Sequence, residues 1–148
     1  MVLKHIDPLI SAELMSIMMQ MGHGDEIVLA DRNFPAVSLA DRLIAYNGVT
    51  ISQLLPVILH YFPIDYVVEH PVFMMRIPTD SDYKGNIVEE YQKILDATHG
   101  SKVSIGYLNR QDFYDRASHA FAVVATSDSA RFANIIIRKG IVLIGEEL

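Results

Sequence analysis

The feature that most restricts the fold is an alternation. Segments whose apolar residues recur at three- and four-residue spacing are separated by continuous apolar runs only a few residues long. The spaced segments have the period of a helix buried along one face, and the short runs have the length and composition of buried strands. Helices alternating with short buried strands imply a layered α/β domain.

Taken in order, Ser11 is placed to cap a first helix and Glu13 lies in its first turn, where negative charge is favoured. Leu14, Ile17, Met18 and Met21 form its core face, Met15 and Met19 widen it, and Gly22 ends it. Ile27 to Ala30 is the first strand, and Asp31 to Pro35 a polar loop. Between Val37 and Ala45 a short strand falls around Leu43-Ile44-Ala45, closed by the turn pair Asn47-Gly48. Thr50 and Gln53 make a capping box for a helix marked by Ile51, Leu54, Leu55, Ile58, Leu59 and Phe62. Pro56 removes a hydrogen bond inside it, which predicts a distortion or a later start. Tyr66 to Val68 and Val72 to Ile77 read as buried strand, interrupted by Glu69-His70-Pro71. Asn86 and Glu89 form a second capping pair for a helix with Val88, Tyr91 and Leu95 on one face, stopped at His99-Gly100. Val103 to Tyr107 is a strand, Gln111 to Ala120 a short helix and Phe121 to Ala125 a strongly apolar strand. Asn134 to Ile137 and Ile141 to Ile144 read as two strands turning at Lys139-Gly140, which makes the sheet mixed. With no internal repeat and no linker, residues 1–148 read as one domain.

Composition narrows the function. A 51% hydrophobic content without low-complexity tracts excludes a disordered chain. The net charge of −6, with no Lys/Arg cluster, argues against a nucleic-acid partner. No apolar run is long enough to span a bilayer, and the N-terminus lacks the apolar region of a signal peptide, so no membrane partner and a cytoplasmic location are expected. The absence of cysteine removes disulfides, thiolate zinc sites and a cysteine nucleophile. A mean hydropathy of +0.24 is high for so short a chain and points to subunit interfaces.

Chemistry concentrates in Gly22 to Pro35. His23 lies between two glycines, at a helix C-terminus whose carbonyl ends favour an imidazolium. Asp31 falls where the strand leaves the core. A histidine and a carboxylate at the two ends of one short strand are expected to converge on a ligand; the competing reading is a helix stop and a turn former. The other histidines, at 5, 60, 70, 99 and 119, show no metal-ligand spacing, so no metal is expected. There is no phosphate loop, dinucleotide fingerprint or hydrolase nucleophile elbow, so no cofactor is expected either.

Three blocks carry a family resemblance. Met21-Gly22-His23-Gly24-Asp25-Glu26-Ile27-Val28-Leu29-Ala30-Asp31, with Asn33-Phe34-Pro35, resembles the opening signature of the L-fucose mutarotase and D-ribose pyranase family. Asn109-Arg110, with Phe113-Tyr114 and Arg116-Ala117, resembles a second family segment. Phe132-Ala133-Asn134-Ile135-Ile136-Ile137-Arg138-Lys139-Gly140 resembles the family's ending. His23-Gly24-Asp25 is closer to the fucose branch than to the ribose branch.

The resemblance implies a three-layer α/β/α domain with a mixed, mostly parallel sheet, assembled into a ring-like decamer with sites at subunit contacts. It implies interconversion of the α- and β-anomers of a free monosaccharide, first L-fucose, by acid/base ring opening without metal or cofactor. His23 matches the family's proton donor; Asp31, Arg110 and Phe132-Ala133-Asn134 match its substrate-binding residues. Asp65 and Tyr114 are secondary candidates, readable also as a turn cap and a packing residue. Phe132 stands where the family commonly has tyrosine, and Ser127-Asp128 where it has Gly-Glu, changes that bear on sugar preference. The alternatives are a non-catalytic sugar-binding or regulatory module, or a pyranase acting on ribose.

Overall fold

The structure, a computed structural model, describes residues 2–147. Its strands are β1 (Glu26–Ala30), β2 (Leu43–Tyr46), β3 (Val72–Met75), β4 (Ile105–Leu108), β5 (Ala122–Thr126) and β6 (Ile135–Arg138). Its helices are α1 (Ala12–Gln20), α2 (Ala36–Leu39), α3 (Ile51–Tyr61), α4 (Ile87–His99) and α5 (Arg110–Ser118). The six strands form one sheet in the order β2-β5-β1-β6-β3-β4. β5 lies parallel to β1 and β2, and β3 to β4, whereas β6 runs antiparallel to both of its neighbours, β1 and β3. The sheet is therefore mostly parallel, with β6 alone reversed.

Alternate side chains of the strands enter two separate cores. Ile27, Leu29, Val72, Met74, Val124, Ile135 and Ile137 pack under α1, α3 and α4, while Val28, Ala30, Met75, Val123 and Ile136 pack under α2 and α5. Burial on both faces explains why these strands read as unbroken apolar runs. The result is the expected α/β/α sandwich. Among the described residues, no helix is long and apolar enough to cross a membrane.

Local signals set most helix starts. Ser11 Oγ accepts the Leu14 N–H at 3.1 Å. Thr50 and Gln53 make both bonds of the capping box, at 3.2 and 2.9 Å. Asn109 Oδ1 accepts the Asp112 N–H at 2.9 Å, so α5 starts at Arg110, one residue before expectation.

Other expectations are corrected. α3 begins at Ile51 and runs through Pro56 without a break. Pro56 lies on the exposed face, so the hydrogen bond it removes is missing next to solvent rather than in the core. Asn86 makes no side-chain cap; Tyr83 Oη accepts the Ile87 N–H at 3.1 Å instead. The single-turn α2 was not anticipated. Tyr66–Val68 is a bend rather than a buried strand, with Tyr66 and Val67 exposed. Ile141–Ile144 forms no strand, and Ile144 is fully exposed. Lys139-Gly140 is not a hairpin turn. Gly140 donates its N–H to Pro63 O at 2.8 Å, and Lys139 bridges Ile64, so the chain leaves the sheet against residues 63–65.

Candidate active site

The topology makes the first cluster. The loop from β5 to β6 crosses the carboxyl end of β1, because β1 lies between those two strands. Asn134 therefore arrives beside Asp31, and its Oδ1 accepts the Asp31 N–H at 2.8 Å. Asp31 Oδ1 accepts the Asn33 N–H at 2.9 Å. Burial raises the Asp31 carboxyl above its ordinary range, the negative charge of Asp128 adds to this, and hydrogen bonds from the Asn33 and Phe34 backbone and the Asn134 amide offset only part of it.

An open cavity of about 210 Å³ forms here, lined by Asp31, Phe34, Met75, Arg110, Tyr114, Arg131, Phe132 and Asn134 with Asn33. Arg110 and Tyr114 stand one turn apart on α5, and so share a face. Tyr114 meets Phe34 edge-on, with ring centroids 5.4 Å apart. Arg110 is exposed and, among the described residues, makes no ion pair.

Phe132 holds a left-handed backbone, φ 57°, which costs a non-glycine residue about 1–2 kcal/mol. Its ring is clamped edge-on by Tyr83 at 5.3 Å, with the Arg131 guanidinium 5.4 Å from its centroid. Ala133 does not line the cavity. It is fully buried, and its carbonyl accepts the Tyr91 Oη–H at 2.9 Å. Asp128, at the position that departs from the family pattern, is committed to structure: its two carboxylate oxygens accept the N–H groups of Ile51 and Ala130 at 2.8 and 2.9 Å.

His23 and Asp65 form a second cluster at the other end of β1. His23 Nε2 lies 3.2 Å from Asp65 Oδ2, and Arg138 Nε donates to the same oxygen at 2.8 Å. Asp65 Oδ1 accepts the Val67 N–H at 3.0 Å. Burial works to raise the Asp65 carboxyl, but the hydrogen bonds from Val67, Arg138 and His23 outweigh it and hold it below the usual range. The His23 side chain stays 46% exposed, so the imidazole is accessible from outside the chain.

Within one chain, then, His23 and Asp31 do not converge. The five residues of β1 hold the two clusters roughly 15 Å apart, at about 3.3 Å per residue. His23 is not among the residues lining the Asp31 cavity. Sequence reading assigned no role to Arg131 or Arg138. Arg131 lines the cavity and pairs with Asp82 at 3.0 Å, and Arg138 clamps Asp65. Neither carries a local signal, because each partner lies many residues away. Among the described residues, no group of three or more His, Asp or Glu side chains is arranged as a set of metal ligands.

Fold and site together define a three-layer α/β protein with a small carboxyl-edge cavity whose acid, amide and guanidinium groups suit a hydroxyl-rich ligand. The chain belongs to the RbsD / FucU transport protein family, whose model matches residues 4–142. It is 40% identical over 139 residues to the L-fucose mutarotase of Haemophilus influenzae (strain PittEE), a match covering 94% of this chain and 96% of that one. The fucose mutarotase of Streptococcus pneumoniae, crystallised in complex with L-fucose, superposes with a TM-score of 0.90 at 43% identity, over 95% of this chain and all of that one. FucU from Bifidobacterium longum superposes with a TM-score of 0.87 at 34% identity, over 93% of this chain and 99% of that one.

Proposed function

We propose that this protein is an isomerase that interconverts the α- and β-anomers of a free aldose, with L-fucose as its first substrate. The observation that carries the reading is the gathering of Asp31, Arg110, Tyr114, Phe132 and Asn134 around one cavity, although Asp31 and Asn134 are 103 residues apart. Similarity to L-fucose mutarotases over nearly the whole chain supports the same reaction and sugar.

The chemistry needs only proton movement. The ring opens when the C1–O5 electron pair passes to the ring oxygen, which takes a proton from His23. The C1 hydroxyl loses its proton to water, and that bond's electrons form the aldehyde. Rotation about C1–C2 and reclosure give the other anomer. Asp31, as a charged acceptor, and Asn134 and Arg110, as donors, hold the sugar hydroxyls, and Phe34, Met75 and Phe132 supply the apolar wall. A positioned acid of this kind contributes roughly 10²–10⁴-fold.

Since β1 separates His23 from the cavity, the complete site joins two copies, His23 of one facing the Asp31 cavity of its neighbour. The cavity volume, below the roughly 300–1,000 Å³ of pockets that enclose a drug-sized ligand, fits a half-site that a second chain closes. The chain acts as one domain within a ring-like homo-oligomer, a decamer as in the family pattern, working in the cytoplasm.

Saturation-transfer NMR of anomer exchange with L-fucose, ribose and galactose tests the activity, with fucose expected to exchange fastest. Binding without exchange would make the protein a sugar-binding module instead. Mixing His23→Ala with Asp31→Asn protomers tests the shared site: each alone is slow, and co-refolded hybrids should regain exchange. No rescue in a mixed, correctly assembled oligomer would return both residues to one chain's site.

A further inference from the structure

We propose that Asp65, clamped by Arg138, is the positioning residue that fixes the tautomer of His23 and makes Nδ1 the ring nitrogen that moves the proton. The tautomer follows from geometry alone; its use in turnover rests on the anomer-exchange reading above.

The carboxylate of Asp65 can only accept hydrogen bonds, so the His23 nitrogen facing it, Nε2 at 3.2 Å, must carry the hydrogen. In the neutral imidazole the remaining nitrogen, Nδ1, is then bare. Protonated, it gives its proton to the ring oxygen on opening. Bare, it takes that proton back from the hydroxyl that attacks C1 on closing. The opposite tautomer would leave Nδ1 able only to donate, and half of the cycle would stall.

A turn cap does not account for this arrangement. Capping the 65–67 turn uses Oδ1, which accepts the Val67 N–H. Oδ2 is the oxygen turned to His23 and to Arg138. Asp65 is 1% exposed, so its carboxylate finds its hydrogen bonds in the protein rather than in water.

Arg138 has its own part. Its guanidinium on the same oxygen keeps the carboxylate charged, so Oδ2 stays an acceptor toward His23.

Two glycines make room for the triad. A Cβ at Gly24 would lie 2.9 Å from Arg138 Nη2, and one at Gly140 would lie 2.9 Å from Asp65 Cα. The Gly-His-Gly and Lys-Gly motifs thus serve one construction from its two sides.

The test is ¹⁵N NMR of the intact protein with ¹⁵N-labelled histidine, in which the His23 signals are identified by their loss in His23→Gln. The expected result is a neutral His23 protonated at Nε2 and bare at Nδ1. A neutral His23 protonated at Nδ1 would overturn the proposal, and this measurement needs no change at Asp65. Asp65→Asn removes the charge and one of the two acceptor oxygens that Val67, Arg138 and His23 share. Exchange should fall by roughly 10²–10⁴-fold, the range set by a disabled acid or base, with KM changed less than about threefold. A folded Asp65→Asn protein that keeps wild-type exchange, or loses affinity rather than rate, would also overturn it. If the Nε2–H tautomer is found in a protein that exchanges no anomer, the tautomer assignment stands and the functional reading fails.

Discussion

Gly140→Ala tests how closely the site depends on backbone packing. Alanine is conformationally free at this position, since Gly140 is not among the residues with positive φ. The added Cβ would nevertheless lie 2.7 Å from Ile64 O and 2.9 Å from Asp65 Cα and Ile64 C, all of them backbone atoms. Reaching the 3.4 Å of an ordinary contact from 2.7 Å requires residues 63–65 to retreat by about 0.7 Å. Two hydrogen bonds oppose that retreat, Gly140 N–H to Pro63 O at 2.8 Å and Asp65 N–H to Arg138 O at 3.1 Å. Overpacking of this kind costs about 1–3 kcal/mol, and the smaller entropy of the unfolded alanine chain returns about 0.4–1 kcal/mol. The expected net loss is about 1–2 kcal/mol, read as a lower urea midpoint with unchanged slope. The His23–Asp65 contact, at 3.2 Å, passes the roughly 3.5 Å limit of a hydrogen bond once it lengthens by about half that shift. Anomer exchange in the folded variant should therefore fall by roughly tenfold or more, the low end of what a displaced acid costs. Gly100→Ala is the control. Nothing lies within 4 Å of its added Cβ, but its φ of 81° puts it in the left-handed region. It should lose about 1–2 kcal/mol from backbone strain and leave exchange unchanged. If the two variants exchange at the same rate, Gly140 does not hold Asp65 in place for His23.

Asp31→Asn should move stability and function in opposite directions. The raised Asp31 carboxyl contributes stability that is complete below about pH 3.8 and is lost as pH rises through its folded value, so the neutral amide should be the more stable form at pH 7 and the gap should close on acidification. Losing a charge-assisted acceptor worth about 1.5–3 kcal/mol should meanwhile raise KM by roughly 10–100-fold; urea melts from pH 4 to 8 alongside exchange kinetics check both, and a variant less stable at pH 7 would make the carboxylate structural. Arg110→Ala, at an exposed side chain without an ion pair among the described residues, should change stability by less than about 0.5 kcal/mol while raising KM about tenfold. Unaltered sugar affinity in calorimetry would remove Arg110 from the site.

Sequence alone determined what depends on neighbours within one turn. Ser11 and the Thr50–Gln53 box start α1 and α3 because a cap bonds its own helix three residues on, and Ile27 to Ala30 is a strand because a run buried on both faces needs no partner to be legible. The same locality misled at Asn86, where a tyrosine oxygen took the capping role, and at Ile141–Ile144, where an apolar run found no strand to pair with. The candidate site residues were legible as motifs, but not their grouping. Which of them share a cavity depends on β6 entering antiparallel between β1 and β3, a long-range pairing that brings Asn134 to Asp31 and Arg138 to Asp65. The placing of His23 and Asp31 at the two ends of one strand was legible, but not which residues meet each of them there. Tertiary structure alone decided this, because strand order is set by burying whole faces of the sheet, a free energy shared across the chain and written in no single stretch of it.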